Sequence, residues 1–130
     1  MVIDTSAIIA ILTAEPETNR LAHAIATDPK RIISSFSLLE AGIVIEARKG
    51  ESGGRELDLL LHRINIEVIP LTSDQTQLAQ EAWRRFGKGK HSAKLNIGDC
   101  CSYALAKYSG EPLLFKGNDF NQTDIAIVEY

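Results

Sequence analysis

A three-layer α/β fold, with a mostly parallel central sheet between two sets of helices, is what this sequence predicts. Short apolar runs with strand character alternate with helical segments along the whole chain, the pattern of a parallel sheet covered on both faces. The first of those runs ends on an acid, at the mouth of a strand-to-helix turn. A parallel sheet gathers the C-terminal ends of its strands on one edge, where ligands of open α/β folds bind. The 130 residues form one domain, 1–130, long enough to bury a sizeable core.

The elements follow in order. Met1–Ile3 reads as a short buried strand and Ala7–Leu12 as a buried helix, with Asp4, Thr5 and Ser6 at the turn between them. Glu15-Pro16-Glu17 has the acids and proline of a first helical turn. The helix after it turns Leu21, Ala22, Ala24 and Ile25 inward, and Thr27-Asp28-Pro29 stops it. Arg31–Ser34 is a strand. Ser35–Lys49 is a long helix, apolar nearly throughout as far as Glu46, and a helix apolar all round is a buried one. The Gly-rich stretch Lys49–Gly54 connects to a helix over Glu56–Ile64, whose Leu57, Leu60, Leu61 and Ile64 fall at helical spacing.

Ile66–Pro70 is the next strand. Ser73 or Asp74 caps a helix carrying Leu78, Ala79, Ala82, Trp83 and Phe86. A basic loop, Arg84 to Lys94, leads into Asn96-Ile97-Gly98-Asp99, which opens a helix through Tyr108 with Ser109-Gly110 at its C-cap. Pro112–Phe115 is a strand, Lys116–Phe120 a turn, and Ile125–Val128 a last strand.

Composition narrows the function. The net charge is −3, with 45% hydrophobic and 24% charged residues, ordinary for a globular protein. The sequence pI of about 5.6 is far from that of a general duplex-DNA binder. Contact with nucleic acid must therefore be local, or made through cations that neutralise an acidic site. Cys100 and Cys101 are adjacent, which suits neither a disulfide nor a zinc site, so they read as buried thiols in a reducing cytosol. No signal peptide is visible, and no apolar run approaches the about 20 residues that a membrane span needs. A cytoplasmic protein is expected.

Four acids carry the chemistry. Asp4 sits at a strand end, where Thr5 or Ser6 caps a helix equally well. Glu40 lies on an apolar helix with Phe36, Ile43 and Val44 on its face. A carboxylate there needs a metal or an ion-pair partner such as Arg31. Asn96 with Asp99 has capping-box spacing, and a carboxylate in a first helical turn is favoured in its ionised form. Asp119 lies in a Gly-Asn-Asp turn, where acids are common, beside Asn118, whose carbonyl oxygen is a further donor; Asp124 reads as structural. Carboxylates without histidine or cysteine select Mg²⁺ or Mn²⁺, and such ions serve phosphodiester hydrolysis. His23, His62 and His91 have no ligand spacing. Lys90, in the basic loop, and Lys116 are candidate phosphate contacts.

These residues resemble a PIN-domain ribonuclease, more narrowly the VapC-type toxins of type II toxin–antitoxin systems. The resemblance rests on Val2-Ile3-Asp4-Thr5-Ser6-Ala7, on Glu40, on Leu95–Cys100 with Tyr103-Ala104-Leu105-Ala106, and on Pro112–Phe120 with Thr123-Asp124-Ile125. It implies a PIN-like fold and Mg²⁺- or Mn²⁺-dependent endoribonuclease activity on single-stranded or loop RNA, often tRNA or rRNA. It also implies a homodimer and a VapB-like antitoxin that blocks the site. Asp4 and Asp99 would be the main metal ligands, and Glu40 would bind metal or orient the attacking water. The fourth ligand position falls at Asp119 or Asn118, where many relatives have two acids. Thr5 and Ser6 would hold Asp4 or a metal-bound water, with Asn96 and Asn118 on the substrate side. An aspartate-nucleophile phosphatase would carry an acid at position 6, where Ser6 stands. A phospho-acceptor receiver domain would need an acidic pair by the first strand and an acceptor aspartate in mid-chain.

Overall fold

The computed structural model describes residues 1–130 and has the expected layers. Its elements are β1 (Val2–Ile3), α1 (Thr5–Leu12), α2 (Thr18–Thr27), β2 (Ile32–Ser34), α3 (Ser35–Lys49), α4 (Glu51–Arg63), β3 (Glu67–Ile69), α5 (Ser73–Phe86), α6 (Ile97–Ser109) and β4 (Leu113–Leu114). All four strands are parallel, in the order β3-β2-β1-β4. Val2 pairs with Ile32 on one side and Leu113 on the other.

Strand alternation divides the core in two. Ile3, Ile33 and Leu114 face one side and pack with Ile8, Leu21, Ile45 and Leu57 from α1 to α4. Val2, Ile32, Leu113 and Phe115 face the other and pack with Phe86, Tyr103 and Leu105 from α5 and α6. Successive side chains of a strand point to opposite faces, so each short apolar run feeds both cores. The strand order reverses between β1 and β4. There the chain leaves β1 at Asp4 and passes β4 at Phe115–Asp119, the place where open α/β sheets bind their ligands.

Several boundaries differ from the sequence reading. The proline segment precedes α2 rather than opening it, and Glu17 is the N-cap. The Lys49–Gly54 connection shrinks to one residue, Gly50, at φ +66°. Gly53 and Gly54 belong to α4, where a Cβ on Gly53 would come 2.7 Å from the Ile45 carbonyl oxygen. They are small so that two helices can cross closely. Thr72, not Ser73 or Asp74, caps α5, its hydroxyl accepting from the Gln75 N–H at 3.3 Å. The expected last strand is a single bridge between Ile127 and Leu113. Asp124 is structural, as expected. It accepts from Tyr103 Oη at 2.6 Å and pairs with Lys107 at 2.8 Å. Burial opposes its charge, but those two hydrogen bonds and the nearby Lys107 and Arg85 charges outweigh it and hold the carboxyl at about 2.

Candidate active site

Asp4 leaves β1 as the N-cap of α1 and is 4% exposed. Its Oδ2 accepts from the Ser6 N–H at 3.0 Å and from the Ser6 hydroxyl at 2.6 Å. Its Oδ1 accepts from the Ser102 hydroxyl at 2.5 Å. The Lys116 N–H, just past β4, donates to Ser6 Oγ at 2.9 Å. Thr5 is turned elsewhere, and its hydroxyl donates to the Ser37 carbonyl at 3.1 Å. Of the two hydroxyls after Asp4, only that of Ser6 holds it.

Asp99 and Asn96 form the reciprocal capping box. Asn96 Oδ1 accepts from the Asp99 N–H at 2.9 Å, and Asp99 Oδ2 accepts from the Asn96 N–H at 3.1 Å. Asp99 is nevertheless pushed up to about 7. Burial is the main cause, the Asn96 N–H acts against it, and the charges of Asp4, Asp119 and Glu40 add to it. The capping box thus faces the other three acids, and the sheet edge brings all four expected carboxylates into one electrostatic neighbourhood.

Glu40 is half-buried and makes no ion pair. Arg31, its expected alternative partner, gives its guanidinium to the carbonyls of Ile25, Ala26 and Ile64 at 2.7–3.2 Å. That cation staples the end of α2 to the end of α4. The Glu40 carboxylate lies instead against the start of α6. A Cβ on Gly98 would stand 2.6 Å from both Glu40 oxygens, so the missing side chain makes the cradle in which Glu40 sits. Asp119 is exposed at the tip of its turn, which Phe115 and Phe120 pin with ring centroids 4.9 Å apart. Asn118 Oδ1 is engaged by Asn121 Nδ2 at 3.2 Å.

The proposed phosphate contacts are less direct. Lys116 Nζ pairs with Glu15 and Glu17, and Lys90 Nζ lies 4.6 Å from the Trp83 ring centroid. Neither cation is paired with the acid cluster. Beside the site, an apolar groove of about 680 Å³ is lined by Phe36, Trp83, Ile97, Cys100 and Cys101, among others. Burial first, then the neighbouring Asp99 charge at Cys100 and the Glu40 charge at Cys101, push both thiols up to about 11. They are protonated at neutral pH and unsuited to ligate a soft metal.

The donor set fits a hard divalent cation. It consists of carboxylate oxygens, none salt-bridged to lysine or arginine, and its mutual repulsion falls on Asp99. No three His, Cys, Asp or Glu side chains close around one point as a ready-made cage. Mg²⁺ does not require one, because it keeps several waters and takes one or two carboxylates together with substrate phosphates.

Sequence reasoning missed Ser37, Gly98 and Ser102. Ser37 follows Ser34 and Ser35 and is not marked out from them, but Ser102 lies among Cys101, Leu105 and Ala106 on a largely apolar helix, and buried hydroxyls have partners. That was the available signal. Gly98 carried none, because the glycine is needed only once α3 is laid against α6.

The chain is similar in sequence and in fold to known proteins. The model of the PIN domain matches residues 1–126. A Ribonuclease VapC of Mycolicibacterium smegmatis is 59% identical over 128 residues, covering 98% of this chain and 99% of the relative. Ribonuclease VapC30 of Mycobacterium tuberculosis is 56% identical over 128 residues, covering 98% of each. Among solved structures, the sarcin-ricin loop cleaving toxin VapC20 of Mycobacterium tuberculosis superposes with a TM-score of 0.80 at 18% identity, over 98% of this chain and 97% of that one. VapBC2 from Rickettsia felis, bound to a DNA fragment from its promoter, gives 0.76 at 19%, over 98% and 96%. At those identities the structural likeness is one of fold.

Proposed function

Because the chain belongs to the PIN-domain family, among the VapC ribonucleases, we propose that it is a metal-dependent endoribonuclease toxin. Its substrate is single-stranded or loop RNA, tRNA or rRNA, and a VapB-like antitoxin neutralises it. One observation carries the metal reading. Four carboxylates without a paired cation share one electrostatic neighbourhood, where the charges of Asp4, Asp119 and Glu40 add to burial in raising Asp99 to about 7. A cation bound there would relieve that repulsion.

Asp4 and Asp99 would hold Mg²⁺ or Mn²⁺. Glu40 would bind metal or orient the attacking water, and Asp119 would complete the set from the rim. The bound ion would supply a more acidic water and neutralise charge on the leaving oxygen. Ser6 and Asn96 fix the two main ligands through the hydrogen bonds described above. Lys116 would reach a substrate phosphate only by leaving Glu15 and Glu17.

The alternatives lose ground in the same geometry. Ser6 stands where an aspartate-nucleophile phosphatase carries its second acid, and it donates to Asp4 rather than serving as a general acid. β3 ends at Ile69-Pro70 without an acid, so no acceptor aspartate follows it as a receiver would require. A homodimer is proposed from family likeness and from exposed Leu39, Ile43, Trp83 and Ile97. Leu57, Leu60, Leu61 and Ile64, on and just after α4, pack instead on the protein's own core.

The test uses the full chain freed of antitoxin. It should cut RNA with Mg²⁺ or Mn²⁺ and not with EDTA, and Asp4→Ala or Asp99→Asn should reduce cutting to background. Undiminished cleavage by Asp4→Ala would sink the site assignment. Sequencing of RNA 5′ ends after brief induction in cells identifies the target.

A further inference from the structure

We propose that Ser102 is a positioning residue for Asp4, and that Ser37 acts through it. The two hydroxyls form a buried chain beneath the site that fixes the orientation of its central carboxylate. The inference rests on the metal-site reading above and extends it to residues that touch neither substrate nor metal.

The direction of the chain follows from proton counting. Ser102 is 0% exposed and Ser37 1%. Ser102 Oγ lies 2.5 Å from Asp4 Oδ1, and a carboxylate can only accept. The single hydroxyl proton of Ser102 is therefore committed to Asp4. Ser37 Oγ, 3.2 Å from Ser102 Oγ, must then be the donor of that pair. Thr5 ties the same residue from α1 by donating to the Ser37 carbonyl. On the far side of Asp4 the pattern repeats, with the Lys116 N–H donating to Ser6 Oγ and Ser6 Oγ to Oδ2. Each carboxylate oxygen thus takes a hydroxyl that is itself polarised by a second donor, an arrangement that strengthens both bonds.

The placement of the serines gives the chain its use. Ser102 is three residues after Asp99 on α6, and Ser37 three residues before Glu40 on α3. Residues three apart share a helix face. Each helix therefore carries an acid at the site and a serine one turn away, and the serines meet. This joint locks α3 to α6, and with them Glu40 to Asp99, while its end holds Asp4. Hydrogen bonds that orient metal ligands are commonly worth 10–100-fold in metal affinity.

The experiment measures Mn²⁺ affinity of the full, antitoxin-free chain by electron paramagnetic resonance titration, together with thermal stability. Ser102→Ala is expected to bind Mn²⁺ about tenfold more weakly. Ser37→Ala should lose a smaller part of that, and the double variant should be no worse than Ser102→Ala alone, because Ser37 acts through Ser102. Leu57→Ala, a core change in the α3–α4 contact, is the stability control and should keep its affinity. Should Ser102→Ala fail to fold, the milder Ser37→Ala carries the test. Unaltered affinity in either serine variant, additive losses, or an equal loss in Leu57→Ala overturns the proposal. An unaltered chain that binds no Mn²⁺ overturns the metal reading itself and this inference with it.

Discussion

The candidate site has a floor and a rim, built on different terms. The floor is Asp4 and Asp99, at 4% and 9% exposure, each fixed by at least one hydrogen bond from the residues that form its own helix start. The rim is Glu40 and Asp119, half-buried and exposed, with no hydrogen bond or ion pair to the protein. The floor spends folding energy to hold two charges in place, and Asp99 bears the cost as a raised pKa. The rim keeps its carboxylates free and relies on packing around them, the Gly98 cradle for Glu40 and the Phe115–Phe120 pair for the turn of Asp119. A metal site that must also admit a phosphate and a water suits this division, with rigid ligands below and adaptable ones above.

The largest effect expected from breaking the rim is at Gly98. Gly98→Ala replaces glycine near the start of a helix, which alone adds helix stability of about 0.5–1 kcal/mol. Its Cβ, however, would meet both Glu40 oxygens at 2.6 Å and push the carboxylate aside. Misplacement on that scale costs about 10²-fold in rate. Cleavage should fall steeply while the melting temperature holds or rises. A variant that cuts at the normal rate shows that Glu40 does not need its cradle.

Glu40→Gln comes next. It keeps the shape and removes the charge, so its rate loss is the ceiling for a variant that acts only through Glu40 and is likewise about 10²-fold, recovered in part by raised Mg²⁺. Since Arg31 is occupied elsewhere, stability should not fall. A loss of stability without a loss of rate would return Glu40 to a structural role. Asp119→Asn should be weaker still, a few-fold, because the exposed turn contributes one adaptable ligand. Asn118→Ala, whose side chain bonds only Asn121, should change cleavage less than Asp119→Asn. The reverse order would assign the fourth ligand position to Asn118.

The floor and the rim also differ in how legible they are in the sequence. Asp4 and Asp99 could be found because each stands at an element boundary that the chain marks locally, by a strand run on one side and a capping box on the other. The alternation of strands and helices gave the layers and the edge at which they meet. What could not be read was lateral. Gly98, Ser37 and Ser102 matter because α3 lies against α6, and no local pattern records that contact. Arg31 misled for the same reason, since its three carbonyl partners come from the ends of α2 and α4. The last strand was overcalled because Ile125–Val128 has strand composition, yet only Ile127 reaches a bridge with Leu113.

The smallest effect tests the floor alone. In EDTA, Asp99 carries a folded pKa of about 7 against an ordinary value of 3.8. The folded state therefore holds that proton more tightly than the unfolded state does, and stability falls as pH rises between those values and returns as pH drops. The melting temperature of the metal-free chain should rise by a few degrees from pH 7.5 to pH 5.5. Asp124, held at about 2, loses its stabilising contribution only on acidification below about pH 4 and does not mask the trend. Asp99→Asn removes the titrating group while leaving an oxygen to accept from the Asn96 N–H, so its melting temperature should be nearly flat over the window. Saturating Mg²⁺ should reverse the slope in the unaltered chain, because metal and proton compete for the same carboxylate. An equal slope in Asp99→Asn would mean that the repulsion among the four acids is relieved by some other group. The floor would then hold its charge at no cost to folding, and the contrast with the rim would lie in geometry alone.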